Sequence, residues 1–131
     1  MVALVAALLL GSPTVVATIN TGSKPCGSAV YGKYLYVDNY GGGTMSRSDP
    51  ATNKVVSSVS VGSGPSDGVR GPDGLEWIPN FADGTISRID PATDTVVDTI
   101  TVGGSPFVVR SAFGDVWVGD FAGSTITRIH P

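Results

Sequence analysis

Apolar and polar residues alternate in short runs along this chain, and no run carries a helical period. "TVVDTITV" (Thr95 to Val102) places Val96, Ile100 and Val102 on one face, with Thr99 and Thr101 on the other. That two-residue period is the signature of a strand. Similar runs, "VVATINT" (Val15 to Thr21), "YLYVDN" (Tyr34 to Asn39) and "LEWIP" (Leu75 to Pro79), are separated by Gly, Pro, Asp and Asn clusters. Asp90-Pro91-Ala92-Thr93 predicts a type I turn, with Asp capping the first position and Pro presetting φ at the second.

The pattern repeats. "GTMSRSDPATNKVVSSVSVG" (Gly43 to Gly62) returns as "GTISRIDPATDTVVDTITVG" (Gly84 to Gly103), and "STITRIHP" (Ser124 to Pro131) begins a third copy. Pro50, Pro91 and Pro131 lie 41 and 40 residues apart, and Pro25, Pro65 and Pro106 lie 40 and 41 apart. Gly22, Gly62 and Gly103 keep the same beat, as do Tyr36, Trp77 and Trp117, and the threonines Thr44, Thr85 and Thr125. Arg47, Arg88 and Arg128 recur too, on the third strand of each unit, where they are expected to bond framework Asp residues. Four strand-like pieces in each ~40-residue unit predict an all-β chain built as a β-propeller of three four-stranded blades, a half or partial propeller. A plain sandwich is the competing architecture, but it has no need of equal units.

Composition agrees. The chain has 131 residues with 18 Gly and 9 Pro, and of its 11 acids only Glu76 is a glutamate, the helix-forming acid. A net charge of −3 with eight scattered basic residues excludes a nucleic-acid surface, which needs clustered Lys and Arg. Residues 1–13 form an apolar leader, read as a signal peptide without its basic front. It is too short for a membrane span, which takes ~20 residues. The leader places the protein outside the cytoplasm, secreted or periplasmic. Residues 14–131 form the blades, in repeats 14–54, 55–95 and 96–131.

The phrases "YLYVDN" and "GTISRIDPATDTVVDTITVG" resemble the YVTN-type β-propeller repeats, and "GPDGLEWIPN" (Gly71 to Asn80) is similar to the repeats of streptogramin (virginiamycin B) lyase-like propellers. The resemblance covers Thr14 to Pro131 and speaks to the fold. Lyase activity in that family implies a His and a Glu-x-His pair with a divalent metal near the channel. Here Glu76 is followed by Ile78 at that offset and His130 sits in the turn slot of Asp49 and Asp90, so no catalytic residue carries over.

Three blades do not close a ring of ~4–8. The chain opens on an outer strand and ends on three inner ones, so its first strand is expected to complete a last blade. Either a head-to-tail homodimer closes six blades or the chain is a piece of a larger propeller, and the leader and the abrupt end favour the piece.

Ligands of propellers bind where the loops converge on the channel. In this chain Asn39-Tyr40, Asn80-Phe81 and Asp120-Phe121 recur at one such place, as a set of amide or carboxylate plus aromatic suited to a small molecule, a glycan or a protein. The same residues also suit turn caps and packing. Lys24, Cys26 and Asp67 break the symmetry nearby. A Cys26 nucleophile would need a His, which is lacking; Glu76, if buried, could serve as an acid or base. Asp67 and Asp83 would need further carboxylates to hold a metal, so no metal or other cofactor is expected. The sequence thus reads as a binding scaffold; the alternative is part of a streptogramin lyase-like or lactonase-like enzyme whose catalytic residues lie outside this chain.

Overall fold

The computed structural model describes residues 11–131, so most of the apolar leader lies outside the described residues. Among the described residues eleven strands form three antiparallel sheets. The first sheet holds β1 (Pro25–Tyr31), β2 (Tyr34–Asn39), β3 (Thr44–Asp49) and β4 (Lys54–Ser60). β5 (Val69–Arg70), β6 (Glu76–Asn80), β7 (Thr85–Asp90) and β8 (Thr95–Thr101) form the second. The third contains β9 (Pro106–Ala112), β10 (Asp115–Asp120) and β11 (Ile126–Ile129).

Each sheet is a meander in sequence order, as a propeller blade requires. The Asp-Pro turns form as expected: Asp49 and Asp90 each accept a bond from the amide two residues on, at 2.9 Å. Asn53 and Asp94 then close the hairpins in the left-handed region, at φ +54, a conformation their short polar side chains tolerate.

The core lies between sheets. Tyr36, Met45 and Val59 of the first pack on Ile78 and Ile89 of the second. Trp77 and Ile86 of the second pack with Val109, Val116 and Val118 of the third. Neighbouring residues Trp77 and Ile78 therefore serve opposite interfaces, which is why every residue of β6 is buried.

Arg47 bonds Asp94 of the next sheet at 3.0 Å, while Arg88 bonds Asp73 and Asp98 within its own sheet, each at 2.7 Å. These guanidinium groups lie over the rings of Tyr34 and Trp77, and Arg128 lies over Trp117. The recurring arginines are framework.

Two strand expectations need correction. Val15–Thr21 carries no ladder and is largely exposed, and the third sheet accordingly has three strands. Those residues lead into the first sheet, and the second sheet separates it from the third, so they cannot reach β11 unless the ring closes. The inner piece "SDGVR" is also shorter than expected. Val69 and Arg70 form its ladder with β6; Pro65 and Ser66 touch β6 only at its far end, through a bridge to Asn80 and a bond to the Pro79 carbonyl, while Asp67 forms a parallel bridge to Val108 of the neighbouring sheet. Gly68 permits the crossing, because a Cβ there would meet Ile78 Cδ1 at 2.5 Å and the Trp77 carbonyl at 2.9 Å.

Candidate functional site

The C-terminal ends of β2, β6 and β10 meet the loops leading into β1, β5 and β9 at one end of the sheets. The same bond fixes them in all three copies: Tyr40, Phe81 and Phe121 each donate a backbone N–H at 2.9 Å, to the carbonyls of Lys24, Gly64 and Ser105. This bond sets each aromatic beside the lead-in loop. The rings gather into a cluster. Phe81 lies 6.1 Å from Tyr40, 6.0 Å from Phe107 and 5.9 Å from Phe121, and Phe107 lies 5.3 Å from Phe121. These separations and their tilted or edge-on angles suit aromatic attraction.

Together with Lys24, Pro25 and Cys26, the four rings line an open, mainly apolar cavity of about 370 Å³. Phe121 is 70% exposed, an unusual setting for so large an apolar side chain. A larger groove of about 580 Å³ between the first and second sheets is lined by Ser60, Asp83, Thr85, Ser87 and Thr99 among others, and it has neither ring nor cation.

The amides point elsewhere. Asn39 and Asn80 are fully buried. Asn80 Oδ1 accepts from the Gly62 amide at 3.0 Å, and its Nδ2 donates to Thr85 and Ser87 at 3.0 and 2.8 Å. Asn39 Nδ2 donates to Thr44 and Ser46 at 3.1 and 2.8 Å, and its Oδ1 accepts from Thr21. Asp120 accepts from the Ser105 amide at 2.9 Å, and the bonds it receives from Ser105 and neighbouring amides hold its carboxyl below the usual range. All three clasp the linker arriving from the preceding unit. Asp67 is occupied too, by Arg110 Nη2 at 2.9 Å.

Of the residues singled out in the sequence, the structure thus brings Lys24, Tyr40, Phe81 and Phe121 together at one cavity and places Asn39, Asn80, Asp120 and Asp67 in the framework. Phe107 joins the cavity from a position the repeat does not flag. Its slot holds Cys26 and Ser66 in the other copies, and that break in symmetry was the available signal.

No acid–base pair faces the cavity. Glu76 is fully buried between sheets, its two oxygens without hydrogen-bond partners, and burial raises its pKa against the pull of Arg70. Asp38, on the facing sheet, is pushed up to about 7 by burial, although the Gly68 amide donates to it at 3.4 Å; the Glu76 and Asp67 charges push the same way. Both carboxyls are titratable parts of the core and lie apart from the residues that line the cavity. His130 Nδ1 lies 2.6 Å from Asp115, at the opposite end of β10 from Asp120, and leaves Cys26 without a base. Among the described residues no group of three or more His, Cys, Asp or Glu is placed to hold a metal, and no helix is long and apolar enough to cross a membrane.

Meandering sheets packed face to face, with converging loops at one end, define a partial β-propeller. Solved structures bear this out. A hydrazine synthase from Kuenenia stuttgartiensis matches 92% of this chain and 36% of its own at TM-score 0.77 and 20% identity. A streptogramin B lyase matches 82% of this chain and 38% of its own at TM-score 0.73 and 20% identity. Virginiamycin B lyase from Staphylococcus aureus matches 72% and 33% at TM-score 0.65 and 17% identity. The chain thus spans about a third of the length of these proteins, and the likeness is one of fold. No family model matches it, and no curated protein does.

Proposed function

We propose that this chain is a non-catalytic binding scaffold, part of a larger secreted or periplasmic β-propeller, that holds a small organic molecule in the aromatic cavity. One observation carries the reading: four rings from three sheets converge on a single opening. A planar or apolar face laid against them gains stacking and loses water contact, the usual basis of small-molecule sites. The apolar leader supports an extracytoplasmic location.

A second reading rests on the likeness to streptogramin B lyase. It makes these sheets the blade-building part of a lyase-like enzyme whose reacting groups lie elsewhere.

Titration with 2-naphthol, followed by the probe's own fluorescence, tests the scaffold reading. Saturable binding that weakens roughly tenfold in Phe81→Ala is expected, the size of one lost aromatic contact. Binding that ignores Phe81 and Phe121 would overturn it.

A further inference from the structure

The aromatic cavity has one charged group, and that group stands on strained backbone. Lys24 has φ +53, in the left-handed region where a Cβ crowds the following carbonyl. In the second sheet the matching residue is Gly64, at φ +69, which suffers no such crowding. The chain therefore carries a lysine where glycine is the relaxed choice. The loop is held in this shape, since Tyr40 and Gly41 donate their amides to the carbonyls of Lys24 and Ser23 at 2.9 and 3.0 Å. The lysine stem runs close over Gly41, where a Cβ would lie 3.1 Å from both Cγ and Cδ.

Charge at the cavity is one-sided. Among the described residues Lys24 forms no salt bridge, and no carboxylate lines the cavity. Framework acids are engaged elsewhere, Asp67 by Arg110, and Asp83 and Asp120 by backbone amides. An uncompensated ammonium beside an apolar wall of rings matches a ligand with one flat apolar part and one negative end.

We propose that the ligand is an aromatic anion, a one- or two-ring carboxylate whose ring lies against Phe81, Phe107 and Phe121 while its carboxylate meets the Lys24 ammonium. This rests on the cavity being a binding site and adds the ligand's charge. The acidic chain, at net −3, repels anions at long range, so the attraction must be local to Lys24 and must fade with salt.

The probes are 2-naphthoate and 2-naphthamide, which share a ring system and differ in charge, titrated by naphthalene fluorescence against wild type, Lys24→Gly, Lys24→Arg and Phe81→Ala. Wild type should prefer the carboxylate about fivefold, the scale of one exposed ion pair. Lys24→Gly should abolish the preference and still melt no earlier than wild type, because glycine suits the left-handed backbone. Lys24→Arg should retain the preference, and Phe81→Ala should weaken both probes. Equal binding of the two probes to wild type, or a preference that survives in a folded Lys24→Gly, would overturn the anion assignment and leave the cavity standing. If neither probe binds wild type, the cavity reading falls as well.

Discussion

Asp38 and Glu76 show how one residue can couple this fold to pH. Asp38 titrates near 7 when folded, against an ordinary value of 3.8. The folded chain therefore holds a proton that the unfolded chain releases across that interval. This contribution is fullest below about pH 4, drains as pH rises through 7 and is level above it; the whole shift corresponds to on the order of 4 kcal/mol. Glu76 shifts in the same direction. Asp73 and Asp115 are lowered and work the opposite way, but at pH values below the ordinary carboxylate range. Urea midpoints should thus fall between pH 5 and pH 8. Asp38→Asn, which keeps the shape without the charge, should flatten that fall and stabilise the protein at pH 8. An unchanged slope would show that Asp38 is hydrated in solution. Trp77 is fully buried, and Trp77→Ala should cost ~3–5 kcal/mol in the same assay.

At the scale of the element, the linker clasp unites the sheets. A Cβ at Gly62 would sit 2.4 Å from Asn80 Cγ, so the buried amide fills the space a side chain would need; Gly22 meets Asn39 in the same way, whereas in the third unit Gly104 and not Gly103 lies against Asp120. Gly62→Ala and Asn80→Ala should therefore destabilise by similar amounts, ~1–3 kcal/mol each. The double variant should cost less than their sum, since both break one clasp; strict additivity in urea melts would separate the two roles. These columns were legible in the sequence as periods, and so were the strands and the Asp-Pro turns. What an Asn faces was not. The same Asn-aromatic pair could have met a ligand or a linker, and only the pleat of β2 and β6 turns the amide inward and leaves the ring at the mouth. The short β5 was hidden for a related reason, because Asp67, two residues before it, bridges to Val108 of a neighbouring sheet and leaves no mark on local alternation.

For the molecule as a whole, among the described residues three sheets leave two outer faces and the edge of β11 without partners, and Ile126 on that strand is 65% exposed. Such edges recruit further strands. The isolated chain should self-associate, giving a mass by light scattering above the 13.3 kDa of one copy. A discrete doubling would match a head-to-tail pair of six sheets, and a stable single copy would show that the open faces tolerate water. The repeat period disclosed the number of sheets. That period does not place Phe107 at the cavity, because Phe107 joins it by departing from the repeat.

The meander has a mechanical corollary. The first two sheets are each entered at the first strand and left at the fourth, and the third is entered at β9 and left at β11, so tension on the chain ends pulls across the ladders and opens hydrogen bonds one after another. Under a stretching force the protein should unzip at low load, sheet by sheet, with pauses where an Asn clasp must let go of its linker.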